Sequence, residues 1–187
     1  MRLSSPRISP LPTSEWDQEV RELLPRGRPL NIFTTLIRHR KLFKRWMVFG
    51  GHVLSKSSLP ARERELLILR TGYLCKSPYE FHQHTAIGLA AGITREEIER
   101  LAQPGGSWSP RDAALIQAAD ELHADQMISD ETWHKLKESW EEKQLIDLLF
   151  TVGQYTLVSM VLNSLGVQIE APETPPATEA IDQGAVS

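Results

Sequence analysis

The chain has 187 residues, 41% hydrophobic and 24% charged, which suffices for one core of ordinary size and is too little for two. Its 21 Lys and Arg against 24 Asp and Glu give a formal net charge of −3, so no broad basic surface for nucleic acid is expected, and small-molecule or protein partners are favoured. A single cysteine excludes an internal disulfide framework, and "MRLSSPRISPLPTSEWDQEV" holds no apolar run of the secretory kind; a cytoplasmic location is expected.

In chain order, residues 1 to 13 carry Pro6, Pro10 and Pro12 and read as an extended arm. Ser14 is placed to cap a helix over "EWDQEVRELL" that Pro25 ends. "LNIFTTLIRHRKLFKRWMVFGGHVLSKSS" reads as a short helix and a longer one, with Leu42, Trp46, Phe49 and Val53 at helical spacing. Pro60 fits the first turn of "PARERELLILRTGYLC", whose Leu66, Leu69 and Tyr73 form a stripe. "KSP" starts a helix over 78 to 91 that Gly92 ends, and Thr94 with Glu97 has capping-box spacing. After "PGG", Ser109, Pro110 and Asp112 mark another start, and Ser129 caps "DETWHKLKESW".

The uncharged run "LLFTVGQYTLVSMVLNSLGVQI", 148 to 169, is long enough to cross a bilayer. Polar Gln154, Ser159, Asn163, Ser164 and Gln168 interrupt it and an acidic flank precedes it, so a central core or subunit-interface helix is expected, with no membrane partner. "APETPPATEAIDQGAVS" should be disordered. No strand alternation or repeat is evident; the expected fold is an all-α bundle, with an arm and first helix over 1–29, a helical domain over 30–169 and a tail over 170–187.

Chemistry concentrates in "LCKSPYEFHQH", 74 to 84. Ser77, Pro78 and Glu80 spell S-P-x-E, in which Ser77 caps, Pro78 takes the first helical position and Glu80 folds back on the cap. That reading leaves His84 unexplained: it lies one turn after Glu80 on the same face, with Gly88 one turn beyond leaving room for a backbone or a ligand. Glu80 and His84 can act as a proton-transfer pair, the carboxylate orienting the ring. A Glu/His pair at this spacing is also common on helix surfaces, so the residues alone leave cap and catalyst both open.

The run "RERELLILRTGYLCKSPYEFHQHTAIGLAAGITREEIERL" resembles the core of the carboxymuconolactone decarboxylase family, which includes the alkyl hydroperoxidase D-like reductases. "NIFTTLIRHRKLFKRWMVFGGHVL" and "TVGQYTLVSMVLNSLGV" resemble the helices before and after it. The resemblance implies an all-helical, alkyl hydroperoxidase D-like bundle assembled as a homotrimer or homohexamer, with pockets near subunit contacts. Reductases of the family carry C-x-x-C-x-x-x-H and a relay glutamate on the preceding helix. Aligned on His84, the cysteine positions hold Ser77 and Glu80 here, the relay glutamate is Glu65, and Cys75 lies outside the motif. The decarboxylase branch has E-x-x-x-H, which Glu80 and His84 match.

The resemblance therefore implies a lyase or isomerase acting by proton transfer on a small lactone, aromatic or enol-containing acid, without a metal or organic cofactor. Glu80, His84 and Glu65 are the expected catalytic residues. A peroxidase is disfavoured by the missing cysteine pair, and a non-catalytic oligomeric binding protein is the remaining alternative. The dipole of the helix start should keep Glu80 ionised. His52, which follows "GG" on the preceding long helix, Tyr79, Ser77 and Tyr155 are the candidate substrate-binding residues, although packing accounts for each of them too. His82 and His84 face different ways and no metal-ligand cluster accompanies them, so no metal site is expected. No phosphate-binding glycine loop is present.

Overall fold

The computed structural model describes residues 2–27 and 29–171; the expectation of a disordered tail falls largely on 172–187, outside the described residues. Among those described, nine α-helices follow one another: α1 Gln18–Leu23, α2 Asn31–Leu36, α3 Arg40–Ser55, α4 Ala61–Leu74, α5 Pro78–Ala90, α6 Arg95–Leu101, α7 Pro110–Asp125, α8 Asp130–Lys137 and α9 Glu142–Leu165. Single 3₁₀ turns precede α1 and link α2 to α3, and no described residue forms a strand.

Helix α4 is the axis of the bundle. Every residue from Glu65 to Gly72 is buried, because α5, α7 and α9 pack around it. Leu67 joins Leu115, Leu136, Leu148 and Val152 in one apolar cluster, and Leu66 and Leu69 join Ile93, Ile98 and Ile116 in a second. Two glycines set the close approach of α4 and α5. A Cβ on Gly72 would lie 3.5 Å from Glu80 Cβ, and one on Gly88 would lie 3.1 Å from Leu69 Cδ1. The room at Gly88 is thus taken by side chains of α4 and by Ile93 and not by a ligand.

Local chemistry explains most helix starts. Thr94 and Glu97 make both bonds of a capping box, and Ser109 and Ser129 accept from the amides of Asp112 and Thr132. The first helix departs from expectation. Thr13–Glu15 is a 3₁₀ turn, and Asp17, not Ser14, caps α1 by accepting from Val20 N at 3.0 Å. The arm before it is tied down, with Arg7 N donating to Leu165 O and Leu11 N to Thr34 O.

The expected stripe on α3 is only partly a core face. Val53 is buried beside Ile68 and Tyr155, whereas Leu42 and Phe49 point outward. They adjoin Phe150, Leu157 and Met160 on the outer side of α9, and Phe49 meets Phe150 edge to face. Helix α9 is long and apolar enough to cross a membrane by length and composition, but half of its apolar window is buried against the other helices. It is a core helix with one apolar face uncovered.

Candidate active site

The polar residues of α5 that the capping argument claimed are used differently in the fold. Pro78 does take the first helical position, but Ser77 accepts no bond from the helix start. Its hydroxyl is buried without a described hydrogen-bond partner. Glu80 does not fold back on the cap; it turns inward and is 4% exposed. This corrects the cap reading. The chain direction alone set by Pro78 is enough to start α5, which frees the Glu80 carboxylate for His84.

Three side chains then form a line across the α4–α5 contact. Glu65 Oε2 lies 2.7 Å from His84 Nδ1, and Glu80 Oε2 lies 3.4 Å from His84 Nε2. Glu65 is fully buried, and His84 is 6% exposed. The other oxygen of Glu65 faces Arg64 Nε at 3.5 Å. A carboxylate on Nδ1 fixes the ring and places that proton inward, leaving Nε2 directed at Glu80 and the open side. Tyr155 of α9 sets its ring edge-on to the imidazole, with centroids 4.8 Å apart, and limits its rotation.

Burial raises the pKa of Glu80 to about 7, with Glu65 adding to the effect and His84 opposing it. The expectation that the helix dipole keeps Glu80 ionised is therefore corrected: removal from water outweighs the field of the helix start. Tyr155 is held as a phenol, its pKa raised by burial and by the two glutamates.

Glu80 and His84 open onto a cavity of about 170 Å3 between α2, α3, α5 and α9. Its wall is mostly apolar, with Phe33, Trp46, Met47, Leu54, Ile87 and Val158, and its polar side chains besides the pair are Tyr79, Gln83, Gln154 and Tyr155. No lysine or arginine is among the described residues that line it. Glu65 stands behind the wall and meets the cavity only through its contact with His84.

The other candidates divide. Tyr79 and Tyr155 line the cavity as expected. The Tyr79 hydroxyl is nevertheless occupied, donating to Glu170 Oε1 at 2.7 Å and accepting from Ile32 N at 3.2 Å. Ser77 does not reach the cavity, since the first turn of α5 carries it to the buried side. His52 is also misplaced by the sequence reading. Its side chain is 54% exposed, 3.8 Å from Asp147, because the helix turns it away while Gly50 and Gly51 line the wall. Cys75 lies elsewhere, with Sγ 3.8 Å from His123 Nδ1 and its thiol pKa raised by burial. Among the residues not anticipated, Gln83 and Ile87 lie three positions beyond Glu80 and His84 on the same helix, so periodicity could have found them. Trp46 had read as core, and Glu170, which ties the segment after α9 to Tyr79, Gln83 and Asn31 N, carries no local signal.

Comparison with known proteins agrees with this architecture. Residues 40–121 match the model of the carboxymuconolactone decarboxylase family. Protein YdfG of Bacillus subtilis strain 168 is 23% identical over 115 residues, covering 59% of this chain and 78% of its own. A peroxidase-related protein from Ralstonia eutropha JMP134 with an alkylhydroperoxidase AhpD core superposes with a TM-score of 0.75 at 18% identity, over 87% of this chain and 93% of that one. The debrominase Bmp8, solved in complex with 2,3,4-tribromopyrrole, gives 0.73 at 14% identity, over 90% and 94%. The match to its central helices makes the chain similar to the carboxymuconolactone decarboxylase family, and the fold around them is AhpD-like.

Proposed function

We propose that the protein is a lyase or isomerase that moves a proton on a small lactone, aromatic or enolisable molecule, using Glu80 and His84 as the acid–base pair and Glu65 to position the ring. The observation that carries this is the Glu65–His84–Glu80 line ending in an apolar cavity, with Glu80 poised near neutrality. A base in that state can take a proton from a carbon beside a carbonyl while the C–H electron pair moves onto the oxygen. Return of the proton to another carbon completes the turnover.

The wall favours uncharged substrates. A substrate carboxylate beside Glu80 would find no lysine or arginine among the described lining residues, so the lactone, phenol or enol suits the cavity better than an ionised acid. Its size fits a single ring of about seven heavy atoms, since a dry cavity of about 150 Å3 takes benzene. The bromopyrrole bound by Bmp8 is a flat ring of similar scale. The thiol alternative has little support, because Cys75 is not among the described lining residues and Ser77 and Glu80 stand at the paired positions.

Assembly as a homotrimer or homohexamer is part of the proposal, motivated by the uncovered apolar face of α3 and α9. Sedimentation should give a mass several times 21.2 kDa at micromolar concentration, and a monomer would refute it. The reaction is tested by incubating the protein in D2O with γ-carboxymuconolactone, small enolisable ketones and cumene hydroperoxide, followed by NMR. Deuterium incorporation or decarboxylation that vanishes in His84→Gln is expected. Peroxide consumption alone would favour the thiol reading, and no reaction at all would leave a binding protein.

A further inference from the structure

Gln154 is, with Tyr155, a polar residue of the cavity whose hydrogen-bonding capacity is left unused among the described residues. It is 6% exposed, sits in the middle of α9, and neither gives nor receives a side-chain hydrogen bond among the described residues. Buried carboxamides are ordinarily bonded, because removal from water without a partner is costly. Helix α3 supplies the counterpart. Gly50 faces Gln154, and the point where a Cβ on Gly50 would sit lies 3.3 Å from Gln154 Nε2 and 3.8 Å from Trp46 Nε1. Trp46 Nε1 is itself buried without an acceptor. Gln154 therefore stands unpaired beside a wall position that carries no side chain, in the cavity that also carries Glu80 and His84, while Trp46 Nε1 is closed off behind it.

We infer that Gln154, left uncovered by Gly50, binds the carbonyl oxygen of the substrate and stabilises it as it takes up charge. This rests on the proton-transfer reading and narrows the substrate class to small, uncharged, largely apolar molecules with a carbonyl or enol oxygen. The division of labour is balanced. The proton goes from carbon to the Glu80/His84 pair, the C–H electron pair becomes the second bond of the enolate, and the carbonyl electron pair settles on the oxygen facing the Gln154 carboxamide. Gly50 matters because a Cβ there would lie 3.3 Å from Gln154 Nε2 and press on the carboxamide. Tyr79 cannot serve instead, since Ile32 N and Glu170 occupy its hydroxyl.

The test is binding, read separately from turnover. Ligand-observed NMR titrations of the whole protein would compare toluene, acetophenone and benzoate, which share a ring and differ in the oxygen. Acetophenone should bind about five- to tenfold more tightly than toluene, as one or two neutral hydrogen bonds allow, and benzoate should bind least. Gln154→Met should bring acetophenone to the level of toluene without weakening toluene. Gly50→Ala should do the same by pressing the carboxamide out of place, and Trp46→Phe should leave the preference intact. His84→Gln should leave the preference intact while abolishing deuterium exchange. Equal binding of acetophenone and toluene by the unaltered protein, or an acetophenone preference that survives both Gln154→Met and Gly50→Ala, would overturn the inference. Absence of exchange with the preference retained would instead count against the proton-transfer reading alone.

Discussion

Helix α4 buries charge twice, and the two places behave differently. At its C-terminal half Arg70 binds Asp120 through Nε and Nη2 at 2.6 and 2.9 Å and gives Nη1 to the carbonyls of Leu101 and Gln103, each at 2.8 Å. Its guanidinium also lies over the Tyr73 ring. One turn earlier in the chain Glu65 binds His84 with one oxygen, while the other oxygen has only an unaligned contact with Arg64, and Glu80 meets His84 without an aligned bond. A saturated network stiffens the joint between α4, the end of α6 and α7 and has nothing left to offer a ligand. The unsaturated one, facing a cavity, retains capacity for a proton and a substrate.

The largest expected break in that comparison is functional. His84→Gln should lower turnover about 10²–10⁴-fold on whichever substrate the screen identifies, with the melting temperature nearly kept, and Glu80→Gln should act alike. The double variant should be little worse than either single one, because the residues work as a unit. Full turnover in Glu80→Gln would sink the catalytic assignment.

Next comes the reverse separation at Arg70. Arg70→Met leaves Asp120 and two carbonyls unpaired and should cost about 3–5 kcal/mol, lowering the melting point by roughly 6–20 °C for a chain of this size. Turnover per folded molecule should not change. A large loss of turnover at full folding would mean that the two networks are coupled.

The pH dependence of stability sharpens the contrast. Glu80 has its pKa raised by burial to about 7, so between about 4.5 and 7 the folded protein holds more protons at this site than the unfolded chain. Its contribution to stability is therefore full at low pH and declines as pH rises through that window, by at most about 3 kcal/mol. Glu80→Gln should flatten this slope and gain in relative stability toward pH 8, which parallel denaturant titrations at pH 5 and pH 8 would show. A slope of the opposite sign would mean that the ionised carboxylate is stabilised in the fold.

The smallest effects are expected outside both networks. Cys75→Ser and His52→Ala should leave turnover within about twofold, since neither is among the described lining residues of the cavity. Loss of activity in folded Cys75→Ser would reopen thiol chemistry.

Legibility in the sequence followed the range of the interactions. Capping residues such as Thr94, Ser109 and Ser129 were readable because their bonds span three residues. The pairing of Glu80 with His84 was readable for the same reason, one turn apart on one helix. Glu65 was placed only through family resemblance, since 19 residues and a helix reversal separate it from His84. Ser14 and Ser77 were misread because a serine before a helical run signals a cap wherever packing permits, and here Asp17 and Pro78 set the starts.

The sequence by itself determined the helices, their order and the one-turn pairing of Glu80 with His84, all of which follow from periodicity and short spacings that the backbone enforces. Only the tertiary structure decided that Glu80 faces the imidazole and not its own helix start, that His52 points to solvent, and that Gln154 and Trp46 stand unpaired around Gly50. The physical reason is that burial and orientation depend on how α3, α5 and α9 close around α4. That closure removes Glu80 from water and shifts its proton affinity, which no local pattern can report.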